Sequence, residues 1–328
     1  MPNCVHLSKY EWAVTNMCVR QIAKKLLPPI VVDTARWMKK GCRHKAASQQ
    51  NMEGGIVPWS SGYELYRSHF ITQVLADESL LKRFRYGDPL PPGYGVGVDE
   101  RCIEYPWLLT HLENRMEVLL DAGSTLNHDF ILEDPSLQGK VIHILTLAPE
   151  PNCFWQKGVS YLFCDLRNIF VRDACYDSIS CLSTLEHVGC DNRLFTHREV
   201  HSEYRPDDFV PAIQELARVL KPGGRLFLTV PFGTYQHFGF QQVFDKELLS
   251  RAIAAFGEVT EVVETFYCYT AGGWNVADVA DCTESEYVEW IARAWQFNQW
   301  PNPLPVEPDM AAAARAVACV QLVKKKVA

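Results

Sequence analysis

The hydrophobic pattern of the chain changes near residue 110, where short apolar segments begin to alternate with amphipathic ones. The apolar segments predict seven strands, at Glu117–Leu120, Val141–Leu147, Val159–Cys164, Ser178–Leu182, Arg225–Val230, Val259–Tyr267 and Ala316–Val323. The fifth, RLFLTV, is almost entirely apolar or β-branched, as expected of a strand covered on both faces. An amphipathic helix, DDFVPAIQELARVL, precedes it. This alternation predicts an α/β fold with a doubly wound, mostly parallel sheet.

The first 110 residues show a helical pattern instead. Apolar positions recur at helical spacing over residues 11–27, and that pattern ends at Pro28 and Pro29. A second helix is predicted from Glu64 to about Arg85. The proline- and glycine-rich segment 88–100 is predicted to be a linker or a lid hinge. Residues 1–110 are therefore predicted to form an N-terminal helical extension or cap, and residues 111–328 the main domain.

Composition narrows the class of protein. Of 328 residues, 48% are hydrophobic and 22% are charged, which is typical of a soluble globular protein. The formal net charge of −7 argues against a nucleic-acid partner, because phosphate would be repelled. No segment has the length of a membrane span. The twelve cysteines form no pair or cluster with metal-binding spacing, so we expect reduced thiols, no metal site and a cytoplasmic location.

Two motifs between Tyr176 and Gly233 carry a family resemblance. The first reads YDSISCLSTLEHVG and the second ELARVLKPGGRLFLTVPFG. Together they resemble the fourth and fifth strand regions of class I S-adenosylmethionine-dependent methyltransferases, in the order and at the separation found in that family. The resemblance covers roughly residues 112–328. It implies a Rossmann-like methyltransferase fold of seven strands with an antiparallel last strand, and S-adenosyl-L-methionine as the cofactor.

The segment VLLDAGSTLNH lies where this family has its first cofactor motif. The motif normally has an acidic residue followed by Gly-x-Gly, which lets the backbone approach the methionine part of the cofactor. Here Asp121 and Gly123 stand in register, and Ser124 replaces part of the usual pattern. The resemblance implies that these three residues bind the cofactor through a loop with one glycine instead of two or three.

The resemblance also assigns residues that follow the next three strands. Thr146 stands at the end of strand two and Glu150 four residues later, in the region where the family has an acidic side chain that receives the ribose hydroxyls. A solvent-exposed loop carboxylate is the alternative for Glu150. Asp165 and Leu166 follow strand three, where the family contacts the adenine, although Asp165 could instead cap a turn. Ser183 follows strand four and is assigned to the same site.

Methyl transfer is an in-line displacement, so the protein mainly aligns the reacting atoms, and a base helps when the acceptor must lose a proton. The candidate bases are His187, His201 and His237, each after strand four or five. Each histidine also has a non-catalytic interpretation. His187 could be a wall of the cofactor pocket or a core residue, His201 could lie in a solvated loop, and His237 could pack beneath the following helix. The tryptophan-rich insert 270–310 is predicted to act as a lid that covers the site.

The leading hypothesis is S-adenosylmethionine-dependent methyl transfer to a small-molecule or glycan-precursor acceptor. A nucleic-acid methyltransferase is disfavoured because the Asn/Asp-Pro-Pro-aromatic motif is missing after strand four. A catalytically silent cofactor-binding or protein-interaction module remains the alternative, because the first motif has lost glycine. A nicotinamide-dependent oxidoreductase is disfavoured without Gly-x-Gly-x-x-Gly after strand one.

Overall fold

An eight-stranded sheet forms the centre of the described part of the chain. Its strands are β1 (Val118–Ala122), β2 (Val141–Thr146), β3 (Ser160–Phe163), β4 (Tyr176–Leu182), β5 (Leu220–Pro231), β8 (Val259–Thr270), β9 (Gly273–Ala277) and β10 (Ala316–Lys324). Between β5 and β8 the chain forms a separate two-stranded ribbon from β6 (Gln236–His237) and β7 (Gln242–Val243). The strand order across the large sheet is β3-β2-β1-β4-β5-β10-β8-β9. β1 to β5 are parallel, and β10 is antiparallel to both β5 and β8.

The computed structural model describes residues 57–60, 62–291 and 306–326. They belong to a unit that covers Ile56–Ala328, and a separate unit covers Met1–Gly55. The helix predicted over residues 11–27 lies outside the described residues. Within the described ranges, no helix combines the length and apolar character needed to cross a bilayer.

Eight α-helices accompany the sheet among the described residues. They are α1 (Tyr63–Leu75), α2 (Glu78–Tyr86), α3 (Arg101–His111), α4 (Asp129–Leu132), α5 (Arg193–Thr196), α6 (Phe209–Val219), α7 (Lys246–Phe256) and α8 (Val279–Cys282). The amphipathic helix predicted before strand five is α6, which buries Phe209, Ile213 and Leu216. These side chains form the apolar face of α6 and belong to the same buried cluster as side chains of β4 and β5. The helix therefore packs on the sheet through this face.

The predicted α/β fold and all seven predicted strands are confirmed, and the prediction missed one strand of the main sheet and the two short strands β6 and β7. β9 pairs with β8 in an antiparallel hairpin and adds an eighth strand at the edge of the sheet. Gly273 makes the turn with a positive φ of 93°, and Trp274 follows it with 1% of its surface exposed. A five-residue strand inside a tryptophan-rich insert has too little periodicity to be separated from a loop by pattern alone.

The predicted helix over 64–85 consists of two helices. Asp77 interrupts the pattern, because its side chain accepts hydrogen bonds from the backbone N–H groups of Ser79 (2.8 Å) and Leu80 (3.2 Å) and so begins α2. The predicted end at Gly87 is confirmed by its left-handed conformation, with φ 68°.

The segment 88–100 is not a linker or a hinge. Leu90, Tyr94 and Val98 are buried in it, and the indole nitrogen of Trp274 donates a hydrogen bond of 2.9 Å to the carbonyl of Val98. Prolines and glycines shape this segment as a series of tight turns beneath β9. The prediction was wrong because glycine and proline content reports turns and does not distinguish exposed turns from buried ones.

Helix α3 lies deep in the structure, with nine of its eleven residues buried. Trp107 contacts Phe227 of β5 edge-to-face, at 5.9 Å between ring centroids. Packing of this kind brings the beginning of α3 to the end of β4: the Arg101 guanidinium lies within 3.5 Å of the Leu182 carbonyl. The predicted lid is only partly described, because β9 and α8 account for its first part and residues 292–305 lie outside the described residues.

Candidate functional site

A cavity of about 250 Å³ opens at the carboxyl ends of β1 to β4. Its walls include residues that follow each of these strands: Gly123 and Thr125 after β1, Thr146 and Glu150 after β2, Asp165 and Leu166 after β3, and Ser183, Thr184 and His187 after β4. Arg101 of α3 completes this set of polar and charged walls. Adjacent parallel strands end at the same sheet edge, which is where open α/β sheets bind ligands. We call this space the cofactor cavity.

Asp121 lies beneath the loop after β1 and does not line the cofactor cavity. Its carboxylate accepts hydrogen bonds from the Leu126 N–H at 2.8 Å, the Thr125 hydroxyl at 3.1 Å and the Ser180 hydroxyl at 3.2 Å. Burial raises its pKa to about 6, and these hydrogen bonds act in the opposite direction. Asp121 therefore holds the shape of the loop from within. Ser124 belongs to the same loop and is not among the cavity walls; its hydroxyl is buried, has no hydrogen-bond partner, and sits on a backbone φ of 63°.

Gly123 has a backbone φ of 123° and lies against Thr184 of the segment after β4. A β-carbon added at position 123 would collide with the Thr184 side chain. The glycine is thus required both by the backbone conformation and by a close protein contact. The sequence-based interpretation assigned this space to the ligand, whereas Thr184 occupies the position next to Gly123.

A hydrogen-bonded group fixes Glu150, which is itself exposed, at the end of β2. Asn127 donates to the Glu150 carboxylate at 2.9 Å and also to the Asn152 carbonyl at 3.2 Å. The Tyr161 hydroxyl donates to the Asn127 side-chain oxygen at 2.8 Å. The Glu150 carboxylate, although exposed, is therefore held in one orientation by Asn127 of the loop after β1.

Asp165 forms a two-point ion pair with Arg167. The distances are 2.6 Å from Nη2 to Oδ2 and 3.0 Å from Nε to Oδ1. Arg167 also contacts Glu203 at 2.6 Å and Asp208 at 2.5 Å, so it joins the segment after β3 to the segment before α6. Partial burial acts to raise the pKa of the Asp165 carboxyl, but the hydrogen bonds and charge of Arg167 outweigh it and lower that pKa, so Asp165 is ionised near neutral pH. The neighbouring Leu166 is buried and presents an apolar wall.

Ser183 is held by Glu104 of α3. The Ser183 hydroxyl and the Thr229 hydroxyl of β5 each donate to Glu104 Oε1 at 2.5 Å, and Arg101 donates to Oε2 at 2.7 Å. Glu104 is fully buried, while the Arg101 side chain is 22% exposed at the cavity. One carboxylate therefore joins α3 to the ends of β4 and β5 and orients two cavity walls.

His187 is the candidate base that lines the cofactor cavity. Its Nδ1 lies 2.8 Å from the Phe240 carbonyl, so Nδ1 carries the proton and donates, and Nε2 keeps a free lone pair. Burial lowers its pKa to about 4, and the nearby positive charge of Arg101 acts in the same direction. The ring is consequently neutral near physiological pH.

The other two candidate histidines are not among the cavity walls. His237 Nδ1 accepts a hydrogen bond from the Gly239 N–H at 3.0 Å, which occupies the lone pair that a base would need. Its ring packs against Tyr204 at 4.6 Å between centroids. His201 lies in the short helix Glu199–His201, and its buried Nδ1 has no hydrogen-bond partner.

Sequence reasoning missed Arg101, Glu104 and Thr184 as parts of this site. Arg101 and Glu104 stand three residues apart and so share one helix face, but no local pattern indicates which strand end that face approaches. Among the described residues, no group of three histidine, cysteine, aspartate or glutamate side chains is placed to hold a metal ion.

Part of the region around the cavity matches a known protein family. A family model described as a methyltransferase domain matches residues 144–228, from within β2 to within β5. The matched segment includes Glu150, Asp165, Ser183 and His187. No curated protein matches the chain.

Solved structures with a similar fold are remote in sequence. A Burkholderia thailandensis 1,6-didemethyltoxoflavin N1-methyltransferase, solved with 1,6-didemethyltoxoflavin and S-adenosylhomocysteine, is 14% identical over 80% of this chain and 88% of its own, with a TM-score of 0.39. The cyclase SpnF is 17% identical over 83% of this chain and 98% of its own, with a TM-score of 0.43. The YcgJ protein of Bacillus subtilis is 13% identical over 68% and 99%, with a TM-score of 0.41.

Proposed function

We propose that this chain, whose residues 144–228 match a methyltransferase domain, is a class I S-adenosylmethionine-dependent methyltransferase that transfers a methyl group to a small-molecule acceptor at the cofactor cavity. The observation that carries the proposal is the set of walls at one sheet edge: two guanidinium groups, two carboxylates and an apolar surface, contributed by the ends of β1 to β4 and by α3. This combination fits the charged, polyhydroxylated and aromatic parts of S-adenosylmethionine.

The walls divide by chemistry. Glu150 suits the ribose, because a carboxylate can accept from two neighbouring hydroxyls. Asp165 suits the exocyclic amine of the adenine, and Leu166 beside it suits the face of the ring. Gly123 and Thr125, near the centre of the sheet edge, suit the methionine part.

Arg101 is the proposed partner of the cofactor carboxylate. Its Nη1 atom is held by Glu104, while Nε and Nη2 form no hydrogen bond with any described residue. A guanidinium with free donors at a cavity wall favours a carboxylate, which it can bind through two hydrogen bonds. This role would make α3 part of the cofactor site.

The bound cofactor supplies an electrophilic methyl group. The protein's own contribution is to align the acceptor with that group, to exclude water and to receive a proton where the acceptor has one to lose. His187 suits the last task, because its Nε2 lone pair is free and the low pKa keeps it unprotonated near neutral pH.

Titration calorimetry with S-adenosylhomocysteine tests the cofactor site. We expect saturable binding by the intact chain, and no heat of binding would contradict the proposal. Turnover is tested separately, by incubating the protein with S-adenosylmethionine carrying a deuterated methyl group and a small-molecule extract. Mass spectrometry should find a deuterated product; binding without any product would favour a catalytically silent module.

The role of Arg101 has its own test. We expect Arg101→Met to weaken binding of S-adenosylhomocysteine by about 1.5–3 kcal/mol, the usual range for a hydrogen bond to a charged group. Adenosine, which lacks the carboxylate, serves as the matched control and should bind both proteins equally. An equal loss for adenosine would show that the substitution disturbs the cavity as a whole.

A further inference from the structure

Three glutamates lie together beside the cofactor cavity, and two of them feel the charge of Arg101 but form no ion pair with a described residue. We call Glu100, Glu104 and Glu186 the carboxyl cluster. Glu104 is paired with Arg101, and the adjacent Asp99 is paired with Arg67 at 2.5 Å. Neither Glu100 nor Glu186 forms an ion pair with a described residue.

Glu186 is the most unusual member of the cluster. Only 1% of its surface is exposed, and its Oε2 atom has no hydrogen-bond partner among the described residues. Burial raises its pKa well above the ordinary value, and the charges of Glu104 and Glu100 raise it further. A buried carboxyl oxygen without a hydrogen-bond partner lowers the stability of the folded protein. A bound ligand that supplies the partner would account for its presence at this position.

A second unpaired polar group lies close to the same place. Gln241 is 2% exposed, and its Nε2 atom has no hydrogen-bond partner in the part of the chain that the structure describes. Its Oε1 atom lies 3.5 Å from the Tyr287 hydroxyl. Burial raises the pKa of Tyr287, and the charges of Glu100 and Glu186 add to this effect. The Tyr287 hydroxyl thus contacts Gln241 and is near enough to Glu100 and Glu186 for their charges to act on it.

Aromatic rings connect this place with the cofactor cavity. His187 lines the cavity and stacks on Phe240 at 6.2 Å between centroids. Phe240 contacts Phe238 at 6.4 Å, and Phe238 contacts Tyr287 at 5.4 Å. Trp290 lies edge-on to Phe240 at 6.5 Å. We call Phe238, Phe240, Tyr287 and Trp290 the aromatic row.

We propose that the carboxyl cluster and the aromatic row form the methyl-acceptor subsite, and that they bind an acceptor carrying a protonated amine. The inference rests on the proposed function, since it places the subsite beside the cofactor cavity. A cation would supply the missing partner of Glu186 and Glu100, and aromatic faces attract cations. The unpaired Nε2 of Gln241 suits an oxygen atom next to that amine.

A matched pair of probes tests this proposal: 2-phenylethylamine and 2-phenylethanol have the same ring and chain and differ in charge. Binding of S-adenosylhomocysteine to the intact chain is measured first, and both probes are then titrated into the saturated protein by ligand-observed NMR and calorimetry. We expect the amine to bind at least about tenfold more tightly than the alcohol, as for a desolvated charge pair. Near neutral pH its binding should release protons, because the cation favours ionised Glu186 and Glu100.

Two variants separate a binding role from a structural one. Glu186→Gln and, independently, Glu100→Gln should each weaken the amine about tenfold and leave the alcohol unchanged, with a melting temperature equal to or above that of the parent. If S-adenosylhomocysteine binds but the alcohol binds as well as the amine, if neither probe binds, or if both variants bind the amine normally, the amine subsite is wrong and the proposed function stands. Failure of S-adenosylhomocysteine to bind overturns both.

Discussion

Gly123 combines two local requirements that predict the effect of replacing it. With φ at 123° and the Thr184 side chain directly opposite, Gly123→Ala should lower the free energy of unfolding by about 1–3 kcal/mol, the cost of a strained backbone residue. It should also weaken S-adenosylhomocysteine binding, because Gly123 and Thr184 both line the cofactor cavity. Urea unfolding and calorimetry measure the two effects.

The control is the double variant Gly123→Ala/Thr184→Gly, compared with Thr184→Gly alone. Removal of the Thr184 side chain eliminates the collision and leaves only the backbone strain. We expect Gly123→Ala to lower the free energy of unfolding by less when position 184 is already glycine. An equal cost in both backgrounds would show that the contact with Thr184 contributes nothing.

Glu100 should make stability depend on pH. Burial and the nearby charges of Asp99 and Glu104 raise its pKa from 4.5 to about 8, with Arg101 acting in the opposite direction. The folded protein then holds a proton that the unfolded chain releases above about pH 4.5. This contribution to stability is complete below that pH and is lost as the pH rises through about 8.

Urea unfolding of the parent and of Glu100→Gln across this range measures the contribution. The variant should lose part of the decline in stability between about pH 5 and 8. A decline should persist in the variant, because burial also raises the pKa of Asp121, to about 6, and raises that of Glu186 well above its ordinary value. Identical pH profiles for parent and variant would contradict the assignment.

At the residue scale, many of the positions predicted from the motifs line the cavity. Gly123, Thr146, Glu150, Asp165, Leu166, Ser183 and His187 all line it, because residues that follow parallel strands meet at one edge. Asp121, Ser124, His201 and His237 are not among its walls. Register along a chain places a residue near a strand end, but the direction of its side chain depends on local hydrogen bonds such as those that turn Asp121 beneath its loop.

At the scale of elements, α3 is joined to the sheet through one buried carboxylate. Glu104 accepts from Ser183 after β4, from Thr229 of β5 and from Arg101 of its own helix. Glu104→Gln should therefore lower the free energy of unfolding by about 3–5 kcal/mol, the usual effect of removing one partner of a buried ion pair. Urea unfolding near neutral pH measures this change.

A double-mutant cycle with Arg101→Gln provides the control for that prediction. If the two side chains act as a pair, the double variant should be less destabilised than the sum of the two single variants. Simple addition would show that the hydroxyl groups of Ser183 and Thr229, and not Arg101, account for the effect of Glu104.

Helix ends were predictable where the sequence has a residue that typically ends a helix, such as glycine. Gly87 ends α2 as expected, whereas Asp77 divides the predicted helix 64–85 because its side chain caps a new helix start. The turn-rich segment 88–100 was assigned as a linker and is buried under Trp274. Local composition predicts the turns, but burial depends on β9, whose Trp274 lies 176 residues from Val98 along the chain.

For the molecule as a whole, the helical segment before β1 and the sheet should fold together. Helix α3 buries nine of its eleven residues, and buried side chains of α1 and α2, Ile71, Val74 and Phe84, share one core cluster with Leu119 of β1 and Val317 of β10. A truncated chain that begins at Glu113 would expose this apolar surface, so it should fail to form a native core even though it retains every strand.

Near-ultraviolet circular dichroism and binding of a hydrophobic dye test this expectation against the intact chain. We expect the truncated chain to lose the aromatic signal and to bind the dye, as partly folded states do. A cooperative unfolding transition of the truncated chain, with retained S-adenosylhomocysteine binding, would show that residues 113–328 fold alone.

The sequence by itself determined the α/β class, seven of the eight main-sheet strands, the methyltransferase resemblance and the strand ends that surround the cavity, because these depend on short-range periodicity and on motifs with fixed spacing. Tertiary structure decided which polar groups meet there. Glu104 and Thr229 come together although they are 125 residues apart. The position of α3 against the ends of β4 and β5 follows from packing of buried surfaces. Such packing depends on the shape and volume of the whole core, and no local pattern records it.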